Sequence, residues 1–432
     1  MAREMKDSGV EWIRQIPKDW KILKNKNCFT LRKEIVGNTF DEYDLLSLTK
    51  LGIKIKDKND FKGKVPENYG TYQNVKKGEL VLCLFDLDCS AVFSGLSEYE
   101  GMISPAYKVY NCNKNIFNNF AKYWFEYCFI ERKYKIYSKS LRYVVNSDDF
   151  GGIEILVPPL EEQEKIANYL DKKVSDIDLI IEKTKATIED YKKYKQSIIT
   201  EAVTKGINPN VEMKDSGVEW IGEIPREWEV RKLKTFLSTI SKGTTPKEIS
   251  LFKNEKYQVR YIKSENIVNN IVINIPEFFI SVKTHEELKR SQLEENDILI
   301  VIAGAGIGKT AILPKSLLPC NTNQAISFLR LNKNFYYKKY IWYVLQSDIL
   351  KSFILLYSVQ SAQPNLSMEN LENLKIAIST QEQEIEKIIN YLDKKTTEID
   401  TLITKKEVLI AELEEYKKSL IYECVTGKKE IK

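Results

Sequence analysis

Met5-Lys6-Asp7-Ser8-Gly9-Val10-Glu11-Trp12-Ile13 returns residue for residue as Met213-Lys214-Asp215-Ser216-Gly217-Val218-Glu219-Trp220-Ile221. The match runs on loosely from Ile16-Pro17 and Trp20 to Ile224-Pro225 and Trp228, at an offset of 208. A second match closes each copy: Asn168-Tyr169-Leu170-Asp171-Lys172-Lys173 against Asn390-Tyr391-Leu392-Asp393-Lys394-Lys395, at an offset of 222. Glu201, Val203 and Thr204 meet Glu423, Val425 and Thr426 at that same offset. Between its landmarks the second copy therefore carries about 14 more residues, and no convincing identity. Each half has a preserved start, a divergent middle and a preserved end.

The preserved ends predict long helices. Val174, Ile181, Ile188, Lys195 and Ala202 fall every seven residues, with Ile177, Thr184, Tyr191 and Ile198 three positions on. Shifted by 222, the rows become Thr396, Ile403, Ile410, Lys417 and Cys424, with Ile399, Lys406, Leu413 and Leu420. Sustained 3–4 spacing over four heptads is the coiled-coil pattern. The pairing residues it selects are Val174, Ile177, Ile181, Ile188, Tyr191, Ile198, Ile399, Ile403, Ile410, Leu413 and Leu420. Lys195 and Lys417 break the seam at equivalent points, which suits a specific pairing of the two copies. Each helix is expected to reach about 65 Å, and Gly206 with Pro209 ends the first.

The middles read as short β-rich runs among Gly, Asn and Ser turns, such as Leu80-Val81-Leu82-Cys83-Leu84-Phe85 and Ile298-Leu299-Ile300-Val301-Ile302. Aromatic, helical stretches over 120–137 and 336–357 follow them. The fold class expected is α+β, a tandem duplication of one α+β domain followed by a long helix. The boundaries are 1–159 and 207–380 for the domains, and 160–206 and 381–432 for the helices.

Composition narrows the chemistry. One histidine, His285, among 432 residues leaves no His metal cluster and no repeated His acid–base site. It is expected at the surface near a helix start. Seven cysteines form no CxxC pair, so neither a zinc ribbon nor a disulfide framework is suggested, and most read as buried thiols. No apolar run approaches the length needed to span a bilayer, and the charged start lacks a signal core, so the expected place is the cytoplasm. A net charge of +5 is modest for a protein gripping long nucleic acid alone.

Ala303-Gly304-Ala305-Gly306-Ile307-Gly308-Lys309-Thr310 fits a relaxed phosphate-binding loop. Such a loop needs a following helix whose N-terminus faces the phosphates. Pro314 stops any helix after Thr310 within a turn. A glycine turn between two strands is the favoured reading, and a P-loop nucleotide hydrolase the distant alternative. No catalytic residue and no metal site is assigned to this chain.

The order and duplication of these landmarks resemble the specificity (HsdS-type) subunit of type I restriction–modification systems. The resemblance rests on the Lys214–Trp228 start and on Pro158-Pro159-Leu160-Glu161-Glu162-Gln163, followed by Ile166-Ala167. The second copy departs there, with Ser379-Thr380-Gln381-Glu382-Gln383 lacking the prolines. Gly243-Thr244-Thr245-Pro246, the 304–309 loop and Asn323-Gln324-Ala325-Ile326 also recur in that family. In the first domain Gly101-Met102-Ile103-Ser104-Pro105-Ala106-Tyr107 takes the corresponding part.

The resemblance implies two target-recognition domains, each reading one half of a bipartite, asymmetric site in double-stranded DNA. It implies an antiparallel pair of spacer helices that set the half-site distance and dock two adenine-methyltransferase (modification) subunits. S-adenosylmethionine belongs to those subunits; ATP and Mg belong to restriction subunits where a system has them. This chain needs no cofactor of its own. A related reading is the specificity subunit of another bipartite or orphan DNA methyltransferase.

Candidate DNA contacts follow from side-chain chemistry, since Arg, Lys, Asn and Gln read base edges or hold phosphates. In the first domain they are Arg132, Lys133, Lys135, Lys139, Arg142 and Tyr143. In the second they are Lys242, Thr244 and Thr245, then Lys263, Ser264 and Asn266, then Gln360, Ser361, Gln363 and Asn365. The plain alternative for any one of them is a solvated surface residue.

Overall fold

Trp20 and Trp228, both fully buried, organise the two halves. The computed structural model describes residues 3–49, 52–58, 69–88, 93–138, 143–332, 337–358 and 365–431. It divides into two units: Met1–Thr184 with Glu407–Lys432, and Lys185–Lys406. The division cuts through both long helices, Leu160–Lys205 and Glu382–Val425, so each starts in one unit and ends in the other.

The preserved starts fold alike. Met5–Asp7 pairs antiparallel with Gln15–Pro17, and Met213–Asp215 with Glu223–Pro225. In both turns the Asp carboxylate accepts the Gly N–H at 2.9 Å and the Ser hydroxyl accepts the Val N–H at 3.1 Å. Gly9 and Gly217 share a φ of 69°, a left-handed conformation that glycine takes without strain.

The divergent middles also share one topology. In the first unit a four-stranded antiparallel sheet runs Phe29–Arg32, Lys108–Cys112, Leu80–Leu82, Ser94–Leu96. In the second the same order is Leu237–Lys242, Ile326–Leu331, Ile298–Val301, Thr310–Ile312. A second sheet in each contains a parallel pair, Leu45–Thr49 with Gly101–Ile103, and Val259–Ile262 with Cys320–Thr322. Strand alternation explains how unlike sequences keep one fold. Ile298, Ile300 and Ile302 face the core around Trp228, while Leu299 and Val301 face a core between the sheets. Leu80 and Leu82 face the core around Trp20, and Val81 the other. What survives divergence is the alternation.

The long helices close both units crosswise. Trp20 shares its core with Leu420, Ile421, Cys424 and Val425 from the end of the second helix. Trp228 shares its core with Ile198, Ile199, Ala202 and Val203 from the end of the first. Each indole also donates to a glutamate in the first turn of the helix that begins in its own unit, Glu162 or Glu384, at 3.0 Å. The second helix starts without the prolines; there the Ser379 hydroxyl accepts the Gln381 N–H and donates to Glu384.

Within each unit the helical segments run antiparallel. In the first, Asp178 accepts from Lys417 at 2.8 Å; in the second, Asp400 accepts from Lys195 at 2.6 Å. These are one pair at an offset of 222, so the two lysines that interrupt the heptad seam are its cross-helix ion pairs. Ile177, Ile181, Ile188, Ile198, Ile399 and Leu420 are buried. Val174, Ile410 and Leu413 pack half-buried against the first core, Tyr191 and Ile403 against the second.

Gly427 and Gly206 follow the helix ends at φ of 72° and 76°. A Cβ on Gly427 meets Pro17 at 2.4 Å, whereas on Gly206 it meets Trp228 at 3.3 Å. Gly427→Ala is therefore expected to cost about 3 kcal/mol, left-handed strain plus overpacking, and Gly206→Ala about 1 kcal/mol. Denaturant midpoints of the two variants measure the difference; equal midpoints would contradict the crosswise seat of Gly427 on Pro17.

His285 lies near the start of the helix Val282–Glu287, as expected, half-buried with Nδ1 against the Asn321 side chain. Asn266 is fully buried: its Oδ1 accepts from Lys263 N and its Nδ2 donates to the carbonyls of Ile273 and Pro276. Its amide is consumed in holding a turn. No helix among the described residues is long and apolar enough to cross a membrane.

Candidate nucleic-acid interface

Three strand ends of the second unit converge on the turn Asn323-Gln324-Ala325. Lys242 pairs with Ser327, Val301 with Ile326, and Ile262 with Thr322. Backbone bonds tighten the junction: Gly243 N to Ile326 O at 3.0 Å, Thr244 N to Thr322 O at 3.0 Å, Ile302 N to Ala325 O at 2.8 Å. Only glycine fits at 243, because a Cβ there comes within 2.1 Å of the Thr322 carbonyl oxygen. Ala303 bridges to Asn365, and Leu366 N donates to Ile302 O.

Residues far apart in sequence thereby share one edge. Thr245, Gln324, Lys309 and Asn365 are exposed there, and Lys242, Thr244, Lys263 and Ser264 are half-buried. The Thr245 hydroxyl donates to the Gln324 side chain, and Lys263 Nζ rests 3.7 Å from the Phe278 ring centroid. Residues 304–309 turn between antiparallel strands, with Ile298 opposite Ile312 and Ile300 opposite Thr310. A strand, not a helix, follows the lysine, which places Lys309 on the edge as a surface cation. Lys309 and Gln324 were legible as motif residues, but side-chain chemistry alone did not single them out.

The first unit builds the corresponding edge from different residues. Val145 N donates to Leu84 O, the counterpart of the Leu366–Ile302 bond, and Leu87 N donates to Tyr143 O, so Tyr143 and Val145 lie against the segment leaving Leu80–Leu82. Arg132 Nη1 donates to Leu87 O at 3.0 Å, and its guanidinium lies 4.8 Å from the Phe93 ring. Lys135 sits 4.3 Å from the Tyr143 ring, Lys133 lies 3.9 Å from Glu131, and Phe85 stacks on Tyr107. Arg132 and Lys135 rest on rings at this edge, as Lys263 does at the second, but the second adds the amides and hydroxyls of Thr244, Thr245, Gln324 and Asn365. Lys139, Arg142, Gln360, Ser361 and Gln363 lie outside the described residues. Among the described residues no cluster of three or more His, Cys, Asp or Glu could hold a metal ion.

A cavity of about 1000 Å³ opens in the first unit between the strands Gly52–Lys56 and Ser94–Leu96, the helix Asn118–Ile130 and the paired long helices. Tyr123 and Asn119 on that helix donate to Asp171, as Tyr343 and Lys339 donate to Asp393 in the second unit. This equivalence sets Glu126 against Gln346. Gln346 accepts from Asn270 at 2.7 Å. Burial pushes the Glu126 carboxyl up from its ordinary value, although Lys417 and Lys122 draw it down. A carboxyl raised in the folded state contributes its stability below the ordinary carboxylate range and loses it as pH rises. Glu126→Gln is accordingly expected to stabilise the first unit at neutral pH, with the gain vanishing at acid pH. Thermal melts across pH check this, and a loss of stability at pH 7 sinks it.

The description "Type I restriction modification DNA specificity domain" matches this chain twice, over residues 17–190 and 225–409. The type I restriction enzyme MjaVIII specificity subunit of Methanocaldococcus jannaschii is 27% identical over 67% of this chain and 65% of that one, just under two thirds of its length. A chain of the same organism, provisionally assigned as the MjaX specificity subunit, is 25% identical over 97% of this chain and 96% of its own. Among solved structures, a chain from a study of assembly and conformational transition in a type I R-M system superposes with a TM-score of 0.71. It covers 96% of this chain and 99% of its own at 15% identity, a likeness of fold alone.

Proposed function

Because this chain belongs to the type I restriction modification DNA specificity family, we propose that it is the DNA-recognition subunit of a bipartite adenine methyltransferase. Each unit reads one half of a split site through its strand-end edge. The observation that carries this reading is one edge built twice on one topology from different side chains. Two unlike half-sites require that, since base identity is read by side chains while the backbone frame stays constant.

The long helices, each shared between units, fix the spacing and dock modification subunits. Tyr194 and Tyr416, exposed at equivalent positions, suit two copies of one partner. The partners supply S-adenosylmethionine and a pocket for the flipped adenine, and restriction subunits add ATP-driven cleavage in a complete system. Sequencing methylated adenines in cells carrying this chain with its modification subunit is the test. A split adenine-methylated motif that disappears with the chain is expected; no motif dependent on the chain overturns the reading.

A further inference from the structure

Leu251 and Phe252 of the second unit stand in solvent, 58% and 76% exposed. Their loop is clamped at its root. Ser250 exchanges both backbone hydrogen bonds with Phe279, at 2.9 and 2.8 Å, on the strand pair that also contains Arg260. The Ser250 hydroxyl accepts the Phe252 N–H and donates to the Phe252 carbonyl. On the far side Asn254 Oδ1 accepts the N–H groups of Lys256 and Tyr257, and both of those side chains reach Glu248. An apolar pair is thus held outward on a braced tip.

The tip is continuous with the candidate interface. Thr245, on the edge, precedes Ser250 by five residues, and Phe279 pairs with Arg260, two residues from the strand end at Ile262. Lys247 and Lys253 flank the pair; Lys256 neutralises Glu248, and Glu255 is the remaining acid of the loop. Two side chains make too small an apolar area for the core of a stable protein interface, which needs about 800 Å² per partner. They match the size of one base step, where Phe and Leu serve as wedges that unstack and kink a duplex.

We propose that Leu251 and Phe252 form an apolar wedge that inserts between two base pairs at the half-site read by the second unit. The inference rests on the DNA-reading function above and adds the deformation of DNA to it. The wedge makes specificity depend on how easily a step unstacks, at a position where no side chain forms a hydrogen bond to a base.

The test uses the full chain with its modification subunits and a duplex selected by that complex from a random-sequence library. 2-Aminopurine is placed at successive positions of the selected site. The wedge predicts a fluorescence rise confined to one step, abolished by Phe252→Ala and kept by Phe252→Leu, with affinity about tenfold weaker for the alanine variant. Unchanged fluorescence and affinity in Phe252→Ala overturn the wedge. Loss of the modification subunits from Phe252→Ala on size exclusion also overturns it, assigning the tip to a protein contact. If the wild-type complex selects no split duplex, the DNA-reading function itself fails, and the wedge with it.

Discussion

A chain ending at Lys406 is expected to lose the fold of its first unit while keeping that of its second, although no residue between 1 and 184 is altered. The truncation removes Leu420, Ile421, Cys424 and Val425, all buried beside Trp20, together with the seat of Gly427 on Pro17. Burying such side chains stabilises by about 1.5–3 kcal/mol each, so four of them amount to roughly 6 kcal/mol or more. A domain's whole stability is about 5–15 kcal/mol, and the first unit is left near or below zero. Trp228 keeps its partners Ile198, Ile199, Ala202 and Val203, all before the cut. Hydrogen exchange read by peptide is the measurement. Rapid exchange is expected in the helix Asn118–Ile130, with Lys338–Gln346 still protected. Protection of both helices in the truncated chain would sink the crosswise arrangement.

The second large effect concerns the edge of the second unit. Lys242, Lys263 and Lys309 reach it from three separate stretches and enter no ion pair there among the described residues. If they hold phosphates, replacing all three by alanine weakens binding uniformly across sequences. The slope of log affinity against log salt should shrink by about 2.7, or 0.9 per contact. The methylated motif should stay the same. Gln324→Ala should behave differently, relaxing one position of the motif at a cost of about 1–3 kcal/mol if its amide reads a base. Salt titrations of duplex binding and methylated-adenine sequencing separate the two. An unchanged slope in the triple variant removes the lysines from the DNA.

The duplication and the helices were legible because they repeat. Nine identical residues, a heptad row and its copy at 222 leave little freedom, and the lysines breaking the seam mark the cross-helix ion pairs. The crosswise closure was not legible. Both copies carry the same tryptophan and the same helix end, so the repeats alone do not say which helix end closes on which tryptophan; the antiparallel pairing was expected only through the family resemblance. Geometry decides. The helix that starts at Leu160 in the first unit ends at Lys205 in the second, with Ile198, Ile199, Ala202 and Val203 in the core around Trp228. Only the antiparallel partner returns to Trp20.

The candidate contacts divide on burial, which side-chain chemistry does not encode. Asn266 and Asn365 are the same residue type in polar stretches. One spends its amide on three backbone groups, and the other lies exposed on the edge. Arg132 looks like a phosphate ligand by composition, yet its guanidinium is committed to the Leu87 carbonyl and the face of Phe93. Conversely, Lys309 was visible only as a motif residue, in a loop rejected as a phosphate site and shared with the family, and not as a candidate contact. Its place on the edge required the register of the hairpin that carries it.

The crosswise closure also bears on how the protein is made. The ribosome releases residues 1–184 well before it has synthesised the segment that completes their core. About 240 further residues must follow, on the order of 10–50 s at ordinary elongation rates. During that interval Trp20, Ile16 and the first turns around Leu170 lack the cover supplied by residues 407–425. The second unit has no such wait, because its closing segment precedes it in the chain. Synthesis order therefore runs against position: the reader translated first is the one finished last, and it is the one that chaperones have reason to hold.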